Sequence, residues 1–432
     1  MPPAASPRRA SLLSDDLVQH LIPVGQVDVL VGLPTLDNVS TVEPVVLAVH
    51  QAIARAFPRT RIALLNSDGG SQDGTQDVVR RASSGSADLL LASHTLRTMH
   101  RVVAPFHGLP GRRAALRTIF AAADLLQARA VVIVDPSAVD PSEEVLAALM
   151  REVLTGGLDF VGQAPGRHPR EVPLVTQLVR PLLEATLGAS FDDPLDQQFA
   201  LSGAFVARAL AASIWDDEPM RAGIDLALHA DAIAGGFATA QLATRARTRV
   251  SHAARPGVRE SIQQLVRALW SLLGRHESLW LDGHPAATPR AMALESAEAA
   301  SPTWDTAAFE RTFREGVHQL HGIWQDVLSP ATVAALDAAT LRQPAGLGLD
   351  DWTEIVIDFC VAWRTGRFTP DQLAGAFVPV YFGRLAEFVR DTATLDAGAA
   401  RERLNRVAHA FAAARPALVT RWMAARASGE HR

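Results

Sequence analysis

From residue 27 onward, short apolar runs alternate with longer stretches whose apolar residues recur every three or four positions. VDVLVGLP, RIALLNSD, ADLLLASH and AVVIVDPS are the apolar runs. Between them stand VEPVVLAVHQAIARAF, SQDGTQDVVRRASS and GRRAALRTIFAAADLL. Near-continuous apolar runs fit strands covered on both faces, and the helical stretches supply the crossovers that parallel strands require. The pattern predicts an α/β fold with a mostly parallel sheet and helices on both faces. Ligands of such sheets bind outside the carboxyl ends of the strands. Pro34, Asp68 and Asp135 all fall at those ends.

Residues 143 to 255 continue with helices and the strand-like pieces LDFVGQ, FALSGAFV and ATAQLATRARTRVSH. Beyond residue 257 the strand pattern stops. SIQQLVRALWSLLGRHESLW reads as an amphipathic helix, and PAATPRAMALESAEAASP as a low-complexity linker. WDTAAFERTFREGVHQLHGIWQDVL then opens a run of helices, with further ones expected near 331 to 340, 350 to 365, 370 to 395 and 398 to 427. The expected division is an N-terminal tail with a short helix over 1–25, an α/β domain over 26–285, a linker over 286–303, and an all-helical domain over 304–432.

A chain of 432 residues exceeds what one core usually supports, and 48% hydrophobic residues suffice for two. All 41 basic residues are arginine, and the net charge of -5 is spread without a basic face, which argues against nucleic acid as a partner. The single cysteine, Cys360 in IVIDFCVAW, excludes an intramolecular disulfide and a cysteine-based zinc cluster; it is expected in the core. No apolar stretch approaches the ~20 residues of a transmembrane helix, and the N-terminus lacks the apolar region of a secretory signal. A cytoplasmic protein is expected.

Candidate chemistry gathers at the strand ends. In Asp68-Gly69-Gly70-Ser71-Gln72-Asp73-Gly74-Thr75 the glycines allow a tight turn, and Asp68 can accept hydrogen bonds from a base or ribose. Asp73 and Thr75 are accounted for equally by a helix N-cap. Gly108-Leu109-Pro110-Gly111-Arg112-Arg113 opens a helix and suits a diphosphate, although an ordinary helix start would look the same. Asp135, in VVIVDPSAVD, ends a strongly apolar strand, where a carboxylate is costly unless a metal, a ligand or a turn satisfies it. Asp225 in RAGIDLALHADAI lies near a helix start, behind the acidic run Trp215-Asp216-Asp217-Glu218. His252 in RTRVSHAARPG could supply a nitrogen ligand, though a lone histidine is more often a packed or surface group.

Together with RHPREVPLVTQLVRPLL and DPLDQQFALSGAFVAR, these segments resemble, in order, the retaining GT-A glycosyltransferases of the mannosylglycerate, glucosylglycerate and glucosyl-3-phosphoglycerate synthase group. The resemblance covers about residues 27 to 285. It implies a GT-A fold, a nucleotide diphosphate sugar as donor, a small organic acid such as glycerate as acceptor, and a divalent metal, Mg²⁺ or Mn²⁺. Pro34, Asp37 and Asp68 would contact base and ribose, and Arg112 stands where the family has a lysine against the diphosphate. Asp135 would be the first acid of an Asp-x-Asp metal motif, with His252 completing coordination. Asp225 would lie by the acceptor and the reacting carbon, and Thr176 and Arg170 would hold the acceptor.

Two departures bear on this. Ser137 replaces the second metal carboxylate, so the metal set would be Asp135, Ser137 and His252, with the ion weakly held. A Pro-Leu-Gly-Gly-acid loop appears as Pro194-Leu195-Asp196-Gln197-Gln198, which puts the amide of Gln198 where an acid would bind sugar hydroxyls. The resemblance implies an arginine in phosphoglycerate users where this chain has Pro173, with Arg170 close by, which favours glycerate or another small hydroxy acid. The alternative is a catalytically degenerate sugar-nucleotide-binding protein with a regulatory or scaffolding role. The sequence leaves open whether the helical domain covers the site or forms the interface of a homodimer.

Overall fold

A computed structural model describes residues 12–83, 90–95, 111–166, 168, 170–244, 257–283, 286–294 and 304–429. In chain order the first elements are α1 (Asp15–Leu21), β1 (Val29–Thr35), α2 (Val42–Ala56), β2 (Ile62–Asp68), α3 (Thr75–Ser83) and β3 (Leu90–Thr95). They are followed by α4 (Arg112–Leu125), β4 (Ala130–Ile133), α5 (Glu143–Leu154), β5 (Phe160–Pro165), a π-helical turn (Val175–Val179) running into α6 (Arg180–Leu187), and β6 (Phe199–Ser202). Then come α7 (Gly203–Leu210), α8 (Met220–Ala234), β7 (Thr239–Thr244), α9 (Val258–Arg275), α10 (Glu277–Leu281) and β8 (Arg290–Ala293). The chain closes with α11 (Thr306–Val327), α12 (Pro330–Leu341), α13 (Leu349–Thr365), α14 (Pro370–Thr392) and α15 (Ala397–Gly429).

The α/β class stands as expected. The strands form one sheet in the order β3-β2-β1-β4-β6-β5-β7-β8. Among the described strands only β6 runs antiparallel to its neighbours, β4 and β5. One strand was not expected. β8 lies within the presumed linker and pairs in parallel with β7. Three of its four residues are exposed, so it is held by its ladder to β7 and has no apolar pattern to announce it.

The described residues divide into two compact units that interleave along the chain. The first comprises those of Met1–Gly166, Phe191–Pro256 and Thr288–Ala297, and the second those of Arg167–Ser190, Gly257–Ala287 and Glu298–Arg432. Segments 167–190 and 257–287 therefore pack with the helical unit, so boundaries near 285 and 303 do not mark the spatial division.

In the first unit, side chains alternate across the sheet as the pleat demands. Val29, Val31 and Leu33 face α2 and α5, where Val45, Val46, Val49, Val145 and Leu149 complete one core layer. On the opposite face Gly32 leaves room for Ile119 of α4; a Cβ there would come within 2.6 Å of its side chain. Farther along that face Phe160 stacks on Phe199 and meets Phe191 and Phe205. Helices on both faces thus bury β1, β2 and β4 almost completely and leave only their ends to carry chemistry.

The second unit is helical. α11 packs on α14, and α13 and α6 on α15. Its centre holds Trp270, Trp352, Phe359 and Phe377 in ring contact. Cys360 is fully buried there, and burial pushes its thiol up to about 12, as befits an unreactive core residue. Among the described residues no helix is long and apolar enough to cross a membrane.

Candidate functional site

β1 lies between β2 and β4, with Thr35 in register with Asp68 and Gly32 with Ile133. The chain winds outward from β1 to β3 and then returns to β4. This reversal is the place where open α/β sheets bind ligands. Asp68 is the last residue of β2, and Asp135 follows β4 by two residues.

Asp68 is fully buried and its carboxylate is crowded with donors. The amides of Gly70 and Ser71 donate at 3.0 and 2.8 Å, the Ser71 hydroxyl at 2.5 Å and the Gln76 amide group at 2.8 Å. The Thr35 hydroxyl stands 2.8 Å from it as well. Asp68 therefore shapes the Gly-Gly-Ser turn itself, and a ligand reaching it would have to replace one of these donors. Asp37, exposed and at a left-handed φ of 51°, ties the neighbouring loop to that turn. Its amide donates to Ser71 Oγ (2.8 Å) and its carboxylate accepts from the Gln72 amide (2.9 Å). Asp73 and Thr75 accept from the amides of Val39 (2.9 Å) and Asn38 (2.8 Å). Partial burial would raise the Asp73 carboxyl, but hydrogen bonds from the Thr75 hydroxyl and the amides of Val39 and Thr75 outweigh it and hold the group below its ordinary range. Pro34 is buried at the end of β1, and the Thr41 hydroxyl donates to the Pro136 carbonyl at 2.7 Å. The loops after β1, β2 and β4 are one bonded surface.

At the end of β4, Asp135 is fully buried and Ser137 is 4% exposed. The Ser137 hydroxyl and amide donate to Asp135 Oδ1 at 2.6 and 3.0 Å. The Asp135 amide approaches Gln198 Oε1 at 3.4 Å, Gln198 Nε2 donates to Gln163 Oε1 at 2.9 Å, and Gln163 Nε2 donates to the Thr244 hydroxyl at 2.6 Å. Gln198 accepts at one end and donates at the other, which a carboxylate cannot do. Its amide is thus spent on a buried chain that runs from β4 through β5 to β7.

Arg112 and Asp225, 113 residues apart, form a buried two-pronged ion pair. Nε donates to Oδ2 at 2.7 Å and Nη2 to Oδ1 at 2.6 Å. Nη2 also donates to the Gln197 carbonyl at 3.0 Å, so the Gln197-Gln198 dipeptide joins this pair to the Asp135 loop. Arg112 is the first residue of α4, placed there by Gly111 in the left-handed region (φ 73°). A cation at a helix N-terminus opposes the helix dipole, and Asp225 offsets that. Asp225 follows the kink of α8 at Gly223, which interrupts helical geometry two residues before it. Nη1 of Arg112 is buried with no partner among the described residues. Arg113 and Arg117 bond the Asp217 carbonyl and Asp216, so part of the acidic run serves to fasten α4.

The pattern of the sequence did not point to Gln163, Gln197 or His229. His229, one turn after Asp225, is caged by Phe160, Phe191 and Phe199. Its Nδ1 lies 2.8 Å from the Asp225 carbonyl, Nε2 is buried without a partner among the described residues, and burial lowers its pKa. Only its i+4 spacing from Asp225 hinted at this. Thr176 and Arg170 belong to the second unit. The Thr176 hydroxyl reaches the Pro173 carbonyl at 3.5 Å, and the Arg170 carbonyl accepts from Trp304 Nε1 at 3.2 Å. His252 lies outside the described residues. Among the described residues no three His, Cys, Asp or Glu side chains converge as a metal cluster. Asp135 with Ser137 offers one carboxylate and one hydroxyl, a set that fits a Mg²⁺-like ion held mainly by substrate phosphates and is too small for a protein cage.

No protein-family model and no curated protein matches the chain. Solved structures give distant likenesses. A mycobacterial protein is 21% identical over 60% of this chain and 78% of its own, with a TM-score of 0.41. Glucosyl-3-phosphoglycerate synthase from Mycobacterium tuberculosis, in complex with Mn²⁺, uridine diphosphate and phosphoglyceric acid, is 18% identical over 60% and 82%, with a TM-score of 0.41. Another structure of that synthase is 22% identical over 60% and 85%, with a TM-score of 0.37. At such scores a likeness decides neither activity nor substrate.

Proposed function

We propose that the protein is a glycosyltransferase that moves a hexose, with retention, from a nucleotide diphosphate sugar to a small hydroxy acid such as glycerate. The observation that carries this is the bonded surface at the β1/β4 reversal, where the Gln197-Gln198 dipeptide links the Arg112–Asp225 pair to the Asp135 loop and Thr41 ties that loop to the loop after β1, whose last strand residue Thr35 bonds Asp68. In this reading the loops at Pro34, Asp37 and Asp68 take the base and ribose. The unpartnered Nη1 of Arg112 meets the diphosphate. Breaking the sugar C–O bond leaves negative charge on that diphosphate, and a buried guanidinium stabilises it as it grows. A divalent cation, Mg²⁺ or Mn²⁺, held by Asp135 and Ser137 with His252, would add Lewis-acid stabilisation when bound. Asp225, fixed by two bonds to Arg112, orients the acceptor hydroxyl or faces the cationic sugar.

The test uses purified full-length protein with UDP-, GDP- and ADP-sugars, Mn²⁺ or Mg²⁺, and glycerate or phosphoglyceric acid. Nucleotide release and glycosylated product are measured. Transfer should fall about 10²- to 10³-fold in Asp225→Asn while nucleotide binding is kept. Full transfer by that variant would remove Asp225 from the chemistry. Nucleotide binding without turnover on any acceptor would leave a degenerate sugar-nucleotide binder, a reading favoured by Ser137 and by the engagement of Gln198 in the core.

A further inference from the structure

The helical unit contains a buried cation that makes no ion pair among the described residues. Arg384 of α14 is 4% exposed. Its Nε and Nη2 both donate to Gln177 Oε1, at 3.0 and 2.9 Å, and Nη1 donates to the Leu347 carbonyl at 3.3 Å. All three bonds go to neutral oxygens, and a guanidinium has five N–H donors, so two remain. Buried charges are ordinarily paired. Here burial lowers the guanidinium to about 10; Asp391 and Glu387 oppose that only through space, and Arg403 adds to it.

Beside Arg384 opens a small recess, lined also by Arg403, Arg406, Glu387 and Asp391. Glu387 is ion-paired with Arg390 at 2.6 Å, which leaves three guanidinia against Asp391. Gly348 and Leu349 complete the wall. They are the N-cap and first residue of α13, a helix of 17 residues whose start has no side-chain cap. Of the acids in its first turn, Asp351 is directed to Arg342 at 3.8 Å. Uncapped amides and the positive end of a helix dipole favour an anion. The wall is also bonded to the π-helical turn, an uncommon feature that often marks functional positions: Trp352 Nε1 donates to the Gln177 carbonyl at 2.8 Å, and Gln177 Nε2 is buried without a partner among the described residues.

We infer that this recess binds a small, multiply charged oxyanion, a phosphate or a phosphomonoester, between the open start of α13 and the guanidinia of Arg384, Arg403 and Arg406. The anion supplies the charge that Arg384 lacks, and forked guanidinium bonds suit phosphate oxygens.

The experiment is calorimetry of the full chain with inorganic phosphate at constant ionic strength, repeated with excess UDP. Wild type should take up about one phosphate per chain, with or without UDP, and its unfolding midpoint should rise with phosphate. Arg403→Gln/Arg406→Gln, which changes only partly or fully exposed side chains, should fold normally, bind at least about tenfold more weakly and lose the midpoint shift. No saturable uptake up to about 10 mM, equal affinity in the double variant, or displacement by UDP would each overturn the assignment.

Discussion

Arg112 and Arg384 are each 4% exposed, one in each compact unit, yet their surroundings differ. Arg112 faces a carboxylate in a two-pronged bond, with one carbonyl in support. Arg384 faces an amide oxygen and a carbonyl, and its nearest opposing charges touch other groups or the rim. A guanidinium matched by a carboxylate is a structural unit whose halves depend on each other. One matched only by neutral oxygens is a site waiting for charge. The difference teaches that burial alone does not say how much of a guanidinium's charge is already matched; the chemistry of its acceptors does.

Breaking the matched pair should have the largest effect. Asp225→Ala leaves Arg112 buried and uncompensated, at an expected cost of about 3–5 kcal/mol in urea-unfolding free energy. Adding Arg112→Met should restore part of that loss, because the orphaned charge is removed with its partner. Strict additivity would mean that the two side chains act separately. Arg384→Met should cost less, about 1–3 kcal/mol, since it removes a charge and leaves Gln177 Oε1 and the Leu347 carbonyl without donors. A loss as large as that of Asp225→Ala would make Asp391 or Glu387 a true counter-ion and erase the contrast.

His229 sharpens the comparison from the side of Asp225. It is buried, and burial lowers its pKa in spite of the Asp225 carbonyl and the charges of Asp225, Asp196 and Asp193. A histidine whose folded pKa lies below 6.5 is favoured neutral, so its stabilising share is complete above pH 6.5 and is lost as pH falls, because the unfolded chain takes up the proton first. Below pH 6.5 it should contribute up to about 1.4 kcal/mol of lost stability per pH unit. His229→Leu should flatten the fall in unfolding free energy between pH 7.5 and 5.5. An unchanged slope would assign the acid sensitivity elsewhere, with half-buried His50, whose pKa burial also lowers, the next group to test.

How much of this was legible in the amino-acid order follows from where each residue gets its reason. β1, β2 and β4 are apolar because both faces are covered, and such runs show themselves; so do the strand-end positions of Asp68 and Asp135. β8 is an exposed edge whose stability comes from β7, so its residues carry no pattern. The sequence around Arg112 could be read as a phosphate loop and that around Asp225 as a catalytic helix, each complete in itself. That the two bond to each other depends on a contact across 113 residues, which no local spacing encodes. Gln198 was expected where an acid would bind sugar hydroxyls; that its amide is engaged in a chain from Asp135 to Gln163 and Thr244 needed the register of three strands.

The smallest expected effect concerns Ser137. Its hydroxyl donates to Asp135 Oδ1 at 2.6 Å, so the serine satisfies the buried carboxylate in the way a metal would. An ionised aspartate cannot donate. Ser137→Asp would therefore set two buried carboxylates against each other, lower stability without metal, and make a divalent cation the group that relieves the repulsion. Added Mn²⁺ should raise the unfolding midpoint of Ser137→Asp more than that of wild type, with affinity about tenfold tighter, or ~1.4 kcal/mol. Equal shifts in the two proteins would mean that any ion binds away from the end of β4, and that Ser137 is there to hold Asp135 and for nothing else.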